Sequence, residues 1–140
     1  MNEKLIVDRI LDYYDVPQLF TARDTFDALY LCLLYDDTLS CRYTGIRISG
    51  PRLNDFLTNK VDLRQIYLDP EITGEYFDVV YENNVLYKKR LSENSLPEEK
   101  LPSEGYNYSD KGRENVLINI PMKDRHLLNE LIQKFGWACM

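Results

Sequence analysis

The stretch QLFTARDTFDALYLCLLYDDTLSCRYTGIRI, residues 18–48, decides how the chain is read. Its centre, Leu29-Tyr30-Leu31-Cys32-Leu33-Leu34-Tyr35, is apolar at both alternating sets of positions, the pattern of a strand covered on two faces. Before it, Gln18 to Asp24 is rich in apolar and β-forming residues and runs into Asp24-Thr25-Phe26-Asp27, a turn signal. After it, Tyr35-Asp36-Asp37-Thr38 marks a second turn, and Leu39 to Ile48 resumes with mixed alternation. Connections this short predict antiparallel neighbours, because a parallel return needs a crossover of about a dozen residues. A three-strand meander is expected, with Leu29–Tyr35 at the centre of a sheet.

Working outward, Ser49 is placed to cap a helix, Pro51 fits its first turn, and Leu53, Phe56 and Leu57 fall on one side. Asp62 is placed to cap a second short helix, Leu63 to Leu68, which Asp69-Pro70 stops. Neither is long enough to be stable alone, so both must pack on the sheet. Tyr76–Tyr81 and Val85–Leu91 read as strands four and five, joined at Asn83-Asn84, which tolerate positive φ in a two-residue turn. Within the last of these, Lys88-Lys89-Arg90 reads as a solvated or edge-protecting face. Towards the N-terminus, Leu5, Ile6, Ile10 and Leu11 have a spacing that suits either a short helix or a strand. Asp12 to Pro17 reads as a bend, so the sheet is expected to begin near Gln18.

Residues 93–114 carry Pro97, Pro102, Gly105 and Gly112 among polar residues and read as a loop or linker, with Tyr106 and Tyr108 pinning it to the body. Val116–Ile120 is a strand candidate and Pro121 breaks it. Met122–Phe135 carries an apolar stripe of Leu127, Leu128, Leu131, Ile132 and Phe135 at helical spacing. Gly136 can end that helix and let Trp137 fold back on Ile132. The expected fold class is therefore α+β. A mainly antiparallel sheet of about five strands, with two short helices inserted between the third and fourth, occupies residues 1–92. A linker spans 93–114, and a strand and amphipathic helix at 115–140 pack on the core or on a partner.

A chain of 140 residues supports one main hydrophobic core. Its formal charge of −6, from 23 acidic residues against 17 Lys and Arg with no basic block, argues against nucleic acid held by phosphate neutralisation. No signal-type apolar region and no run of about 18 apolar residues is present, so a cytoplasmic protein without membrane contact is expected. Cys32, Cys41 and Cys139 lack paired metal-type spacing and are expected as free thiols, the first two in the core.

Catalytic signals are thin. His126 has no Ser, Cys or metal-ligand partner at a diagnostic spacing. The six glycines at 45, 50, 74, 105, 112 and 136 form no phosphate loop. Asp69-Pro70 and Glu98-Glu99-Lys100 lack the strand context of a metal-dependent nuclease. No catalytic residue, metal ligand or cofactor is assigned, and the chain reads as no enzyme. Eleven tyrosines suit a partner surface, since each combines apolar area with a polar tip. Arg23, Arg52 and Arg64 are candidates to hold an anion on the sheet, and Trp137 is a candidate contact residue.

Two parts of the chain carry a resemblance. Asp15 to Asp24, Arg52-Leu53-Asn54-Asp55-Phe56 and Asp62 to Leu68 resemble an uncharacterised family of bacterial domains over roughly residues 12–90. Ile118 to Asp124 with Leu127-Leu128, Leu131-Ile132 and Phe135-Gly136-Trp137 is similar to the strand-proline-helix-Gly-Trp segments of small antitoxin-type proteins of Bacteroides-type bacteria. The resemblance implies a bacterial or phage interaction module. The leading expectation is a non-enzymatic protein-interaction module of toxin-antitoxin or defence type. The alternative is a small-ligand or anion-binding protein, or an enzyme, with a site on the sheet. Self-association through the C-terminal helix is a third possibility.

Overall fold

In the computed structural model, which describes residues 3–14, 16–71, 75–82, 85–91 and 96–102, the central strand is buried on both alternating faces, as its sequence requires. The elements in chain order are β1 (Glu3–Tyr14), β2 (Val16–Arg23), β3 (Leu29–Asp36), β4 (Cys41–Arg47), α1 (Gly50–Leu57), α2 (Leu63–Leu68), β5 (Tyr76–Glu82) and β6 (Val85–Arg90). Every strand pairs antiparallel with its sequence neighbour, and β6 returns to β1 through Glu3↔Lys88, Lys4↔Tyr87 and Leu5↔Leu86. The sheet is a closed six-stranded barrel.

That closure corrects the expectation of an α+β fold with a five-strand sheet. Residues 3–14 are a twelve-residue strand that pairs with both β2 and β6, and β2 starts at Val16 with Pro17 inside it. The segment expected as a bend is thus the β1–β2 hairpin. The two helices stand where they were expected, between β4 and β5, with Ser49 Oγ accepting from Arg52 N–H and Asp62 accepting from Gln65 N–H as N-caps. The turns at Asp24–Asp27 and Asp36–Thr38 also stand, the first with Asp27 at φ 68°.

Side chains fill the barrel. Inward positions bring Leu5, Val7, Ile10, Phe20, Ala22, Tyr30, Cys32, Tyr43, Phe77, Val79 and Leu86 into one buried cluster. Phe20 and Tyr43 meet edge to face at 4.8 Å, Tyr30 and Phe77 at 5.2 Å, and Tyr43 donates its hydroxyl proton to the Pro17 carbonyl at 2.8 Å. Gly45 makes room for this packing, since a Cβ there would stand 2.8 Å from Val79 Cγ2 and 3.4 Å from Phe77 Cβ.

A second cluster lies outside the barrel. Leu53, Phe56, Leu63, Ile66 and Tyr67 from the helices cover the outward Leu19, Leu31, Leu33, Ile46 and Tyr76. Burying each such side chain stabilises by about 1.5–3 kcal/mol, which is how helices of eight and six residues persist. Tyr67 reaches through this layer to share its hydroxyl proton between the carbonyls of Leu31 and Thr44. Tyr76 in turn donates to the Tyr67 carbonyl at 2.6 Å.

Part of the stretch expected as linker is tied to the same wall. Leu96 and Leu101 pack against the outer cluster around the short 3-10 turn Glu98–Lys100. Thr44 donates to the Lys100 carbonyl, and Arg64 to the Pro102 carbonyl and both Glu98 carboxylate oxygens. The expected turn conformation of Asn83-Asn84, the contacts of Tyr106 and Tyr108, and the strand and helix read at 116–135 lie outside the described residues, as do His126, Trp137 and Cys139.

Cys32 is free and fully buried, and burial pushes its thiol pKa up, away from reactivity. Cys41 is equally buried. No helix among the described residues is long and apolar enough to cross a membrane.

Candidate functional site

With the interior filled and one outer wall covered by helices, the outer wall of β5, β6 and β1 carries exposed side chains along a groove. Alternation aims Asp78, Val80 and Glu82 of β5 outward, with Val85, Tyr87 and Lys89 of β6 and Lys4 and Ile6 of β1. Register then fixes who stands beside whom. Arg42 pairs with Val80, Val80 with Tyr87 and Tyr87 with Lys4, a row crossing β4, β5, β6 and β1. Asp78 pairs with Lys89 above it, and Glu82 with Val85 below.

A groove of about 190 Å³ runs along this wall, lined by Arg42, Asp78, Val80, Glu82, Tyr87, Lys88 and Lys89. Ile6 at 48% and Tyr87 at 38% exposure are large apolar or aromatic side chains left in solvent beside it. Phe26, Leu39 and Leu68 are more exposed still, but they sit apart, in the β2–β3 turn, in the β3–β4 turn and at the end of α2.

One end of the groove is rigidly built. The pairing of β3 with β4 shifts register between Leu34 and Asp36, and such irregularities re-aim a side chain. Here Tyr35 donates its hydroxyl to Asp78 Oδ1 at 2.6 Å, while Arg42 binds Asp78 Oδ2 at 2.5 Å and reaches the Tyr35 oxygen through Nε at 3.2 Å. The bond to Asp78, then that to Tyr35, raises the Arg42 pKa, and burial followed by the Asp78 bond raises that of Tyr35. Both side chains stay protonated and fixed. Lys100 lies over the Tyr35 ring, 5.0 Å from its centroid.

Lys88 departs from the solvated face read for Lys88-Lys89-Arg90, and a closed barrel has no edge there to protect. It points inward with 5% exposure, its Nζ 4.6 Å from the Phe77 centroid and 4.9 Å from that of Tyr30, paired with Glu3 at 3.1 Å. Tyr30 donates to Asp24, so a polar chain finishes this end of the barrel. The arrangement is structural, because the ammonium's aromatic seats and carboxylate partner all come from the barrel itself.

The three arginines expected to share an anion are held by separate partners. Arg23 faces Asp8 and Asp27, Arg52 donates to the Asp69 carbonyl, and Arg64 grips Glu98 and Pro102. Trp137 lies outside the described residues. The residues of this wall, Lys4, Ile6, Arg42, Asp78, Tyr87 and Lys89, are not among the binding candidates read from the sequence, although Lys89 is exposed as its basic run implied. Among the described residues no group of three or more His, Cys, Asp or Glu is placed to hold a metal ion.

Fold and surface together define a closed antiparallel β-barrel with a filled interior, one helix-covered wall and one open wall. The chain belongs to the family of unknown function DUF6575, whose model matches residues 3–119. That bears out an uncharacterised family over the barrel. No curated protein and no solved structure matches the chain.

Proposed function

We propose that the protein is a non-enzymatic protein-interaction module whose contact surface is the open wall of β5, β6 and β1. The observation that carries this reading is the exposure of Tyr87 beside Val80 in a groove lined by Arg42, Asp78, Glu82 and Lys89, with Ile6 exposed on neighbouring β1. An aromatic and aliphatic centre within a charged rim is the anatomy of a protein interface. The filled interior supports it too, since the apolar side chains that would line a lumenal ligand site pack against one another instead. The similarity of residues 118–137 to antitoxin-type proteins supports a bacterial or phage setting for the partner, of toxin-antitoxin or defence type.

The test is a photo-crosslinking amino acid placed at Tyr87, at Ile6 and, as control, at exposed Gln65 on α2, each in the full chain expressed in its source cells. One discrete protein adduct from the first two positions and none from Gln65 is expected. Absence of an adduct at Tyr87 and Ile6, or equal labelling at Gln65, overturns the reading.

A further inference from the structure

The open wall is not neutral, and its charges are ordered. In a chain of net charge −6, Lys4, Arg42 and Lys89 converge on one outer face against Asp78 and Glu82. Asp78 is already occupied by Arg42 and Tyr35, whereas Lys4 and Lys89 are exposed and have no ion-pair partner among the described residues. Arg42 spends Nε on Tyr35 and Nη2 on Asp78, and its Nη1 has no hydrogen-bond partner among the described residues. The guanidinium is thus pre-positioned with donors to spare, which lowers the entropy lost on gripping a carboxylate.

The row Arg42, Val80, Tyr87, Lys4 places a cation at each end and an aliphatic and an aromatic side chain between. Three interstrand steps of about 4.8 Å make it about 14 Å long, the length of about four extended residues. Resting on the reading of this wall as a protein interface, we propose that it binds an extended acidic segment of a partner protein. An apolar side chain of that segment sits on Val80 and Tyr87, one carboxylate reaches Arg42, and another reaches Lys4 and Lys89. Glu82 repels a carboxylate on its own side of the row and so orients the segment. A nucleic acid or an anionic bilayer needs a broader cationic field than three cations interrupted by two carboxylates.

The test uses the full-length protein and a fluorescein-labelled pool of short peptides of pattern acid–any–Leu or Phe–any–acid. The same pool with amides replacing the acids, and phosphatidylserine-containing vesicles, are run beside it. Anisotropy is expected to show binding of the acidic pool, weakened by added salt, and at least about tenfold weaker binding of the amide pool. The double reversal Lys4→Glu with Lys89→Glu is expected to abolish the difference between pools while leaving thermal unfolding unchanged, since both side chains are exposed. Equal binding of the two pools, indifference to the charge reversal, or binding of vesicles in place of peptide overturns the proposal. If Tyr87 crosslinks a partner while the pools bind alike, this inference fails and the interface reading stands. If neither assay gives a signal, both fail.

Discussion

The two outer walls of the barrel share one interior and differ in what they present outward. Over β2 to β5 the outward set is Leu19, Leu31, Leu33, Ile46 and Tyr76, and two short helices cover it. Over β5, β6 and β1 the outward set mixes Asp78, Val80, Glu82, Val85, Tyr87, Lys89, Lys4 and Ile6, and a groove is left. The inward sets behind both walls are mostly apolar, with Lys88 of β6 the charged exception behind the open one. The wall that is roofed is the one whose outward residues are apolar. β5 belongs to both walls, with Tyr76 under the helices and Val80 in the groove.

The contrast breaks first in stability. Phe56→Ala, which empties the space between α1 and the barrel, should cost about 3–5 kcal/mol, whereas Tyr87→Ala on the open wall should stay within about 0.5 kcal/mol. Urea unfolding of both variants checks this, and equal midpoints would erase the distinction between the walls. Gly45→Val tests the shared interior. Its side chain must displace Val79 and Phe77, an overpacking cost of about 1–3 kcal/mol visible as a lower melting temperature. Asp62→Ala removes only the cap of α2 and should cost about 1 kcal/mol in the same assay.

The smallest effect is pH-dependent and belongs to the barrel end, outside both walls. Burial would raise the Asp24 pKa, but bonds from Ala28 N–H, the Tyr30 hydroxyl and Phe26 N–H outweigh it and hold the carboxyl below its ordinary value. A carboxyl depressed in the folded state contributes stability above its unfolded pKa, near about 4, and loses it as pH falls through the folded value. Asp24→Asn should therefore destabilise at pH 7, and the difference from the parent should shrink below about pH 4. A difference that stays constant into acid would assign the effect to shape instead of charge.

Most of the covered wall was legible in the sequence. The double-sided apolar run at Leu29–Tyr35 announced a strand packed on both faces, and Ser49 and Asp62 announced two capped helices. β1 was not legible, and its register shows why. Pairing with β2 shifts between Val7 and Arg9, between Ile10 and Asp12 and again between Asp12 and Tyr13. Each shift resets the period-two alternation, so buried Leu5, Val7, Ile10 and Leu11 fall at spacings that imitate a helix. Without β1 as a strand there is no closure and hence no barrel. The open wall was half legible. A two-residue connection at Asn83-Asn84 already implies that Val80 stands beside Tyr87 and Asp78 beside Lys89, but nothing local brings Lys4 or Arg42 into the same row.

The seam between β1 and β6 also governs how the protein can be made. Its three registered pairs join residues 3–5 to residues 86–88, the most distant strand contact in the barrel. Loop closure over such a span is entropically slow and comes late in folding. On a ribosome adding about 5–20 residues per second, β1 emerges first and must wait for β6 before its second edge is satisfied. Until then the nascent chain carries one open strand edge and an uncovered Leu5, Val7 and Ile10, the features that invite pairing with another chain. The seam is therefore what a chain shortened before residue 86 would lack, leaving β1 with one unpaired edge.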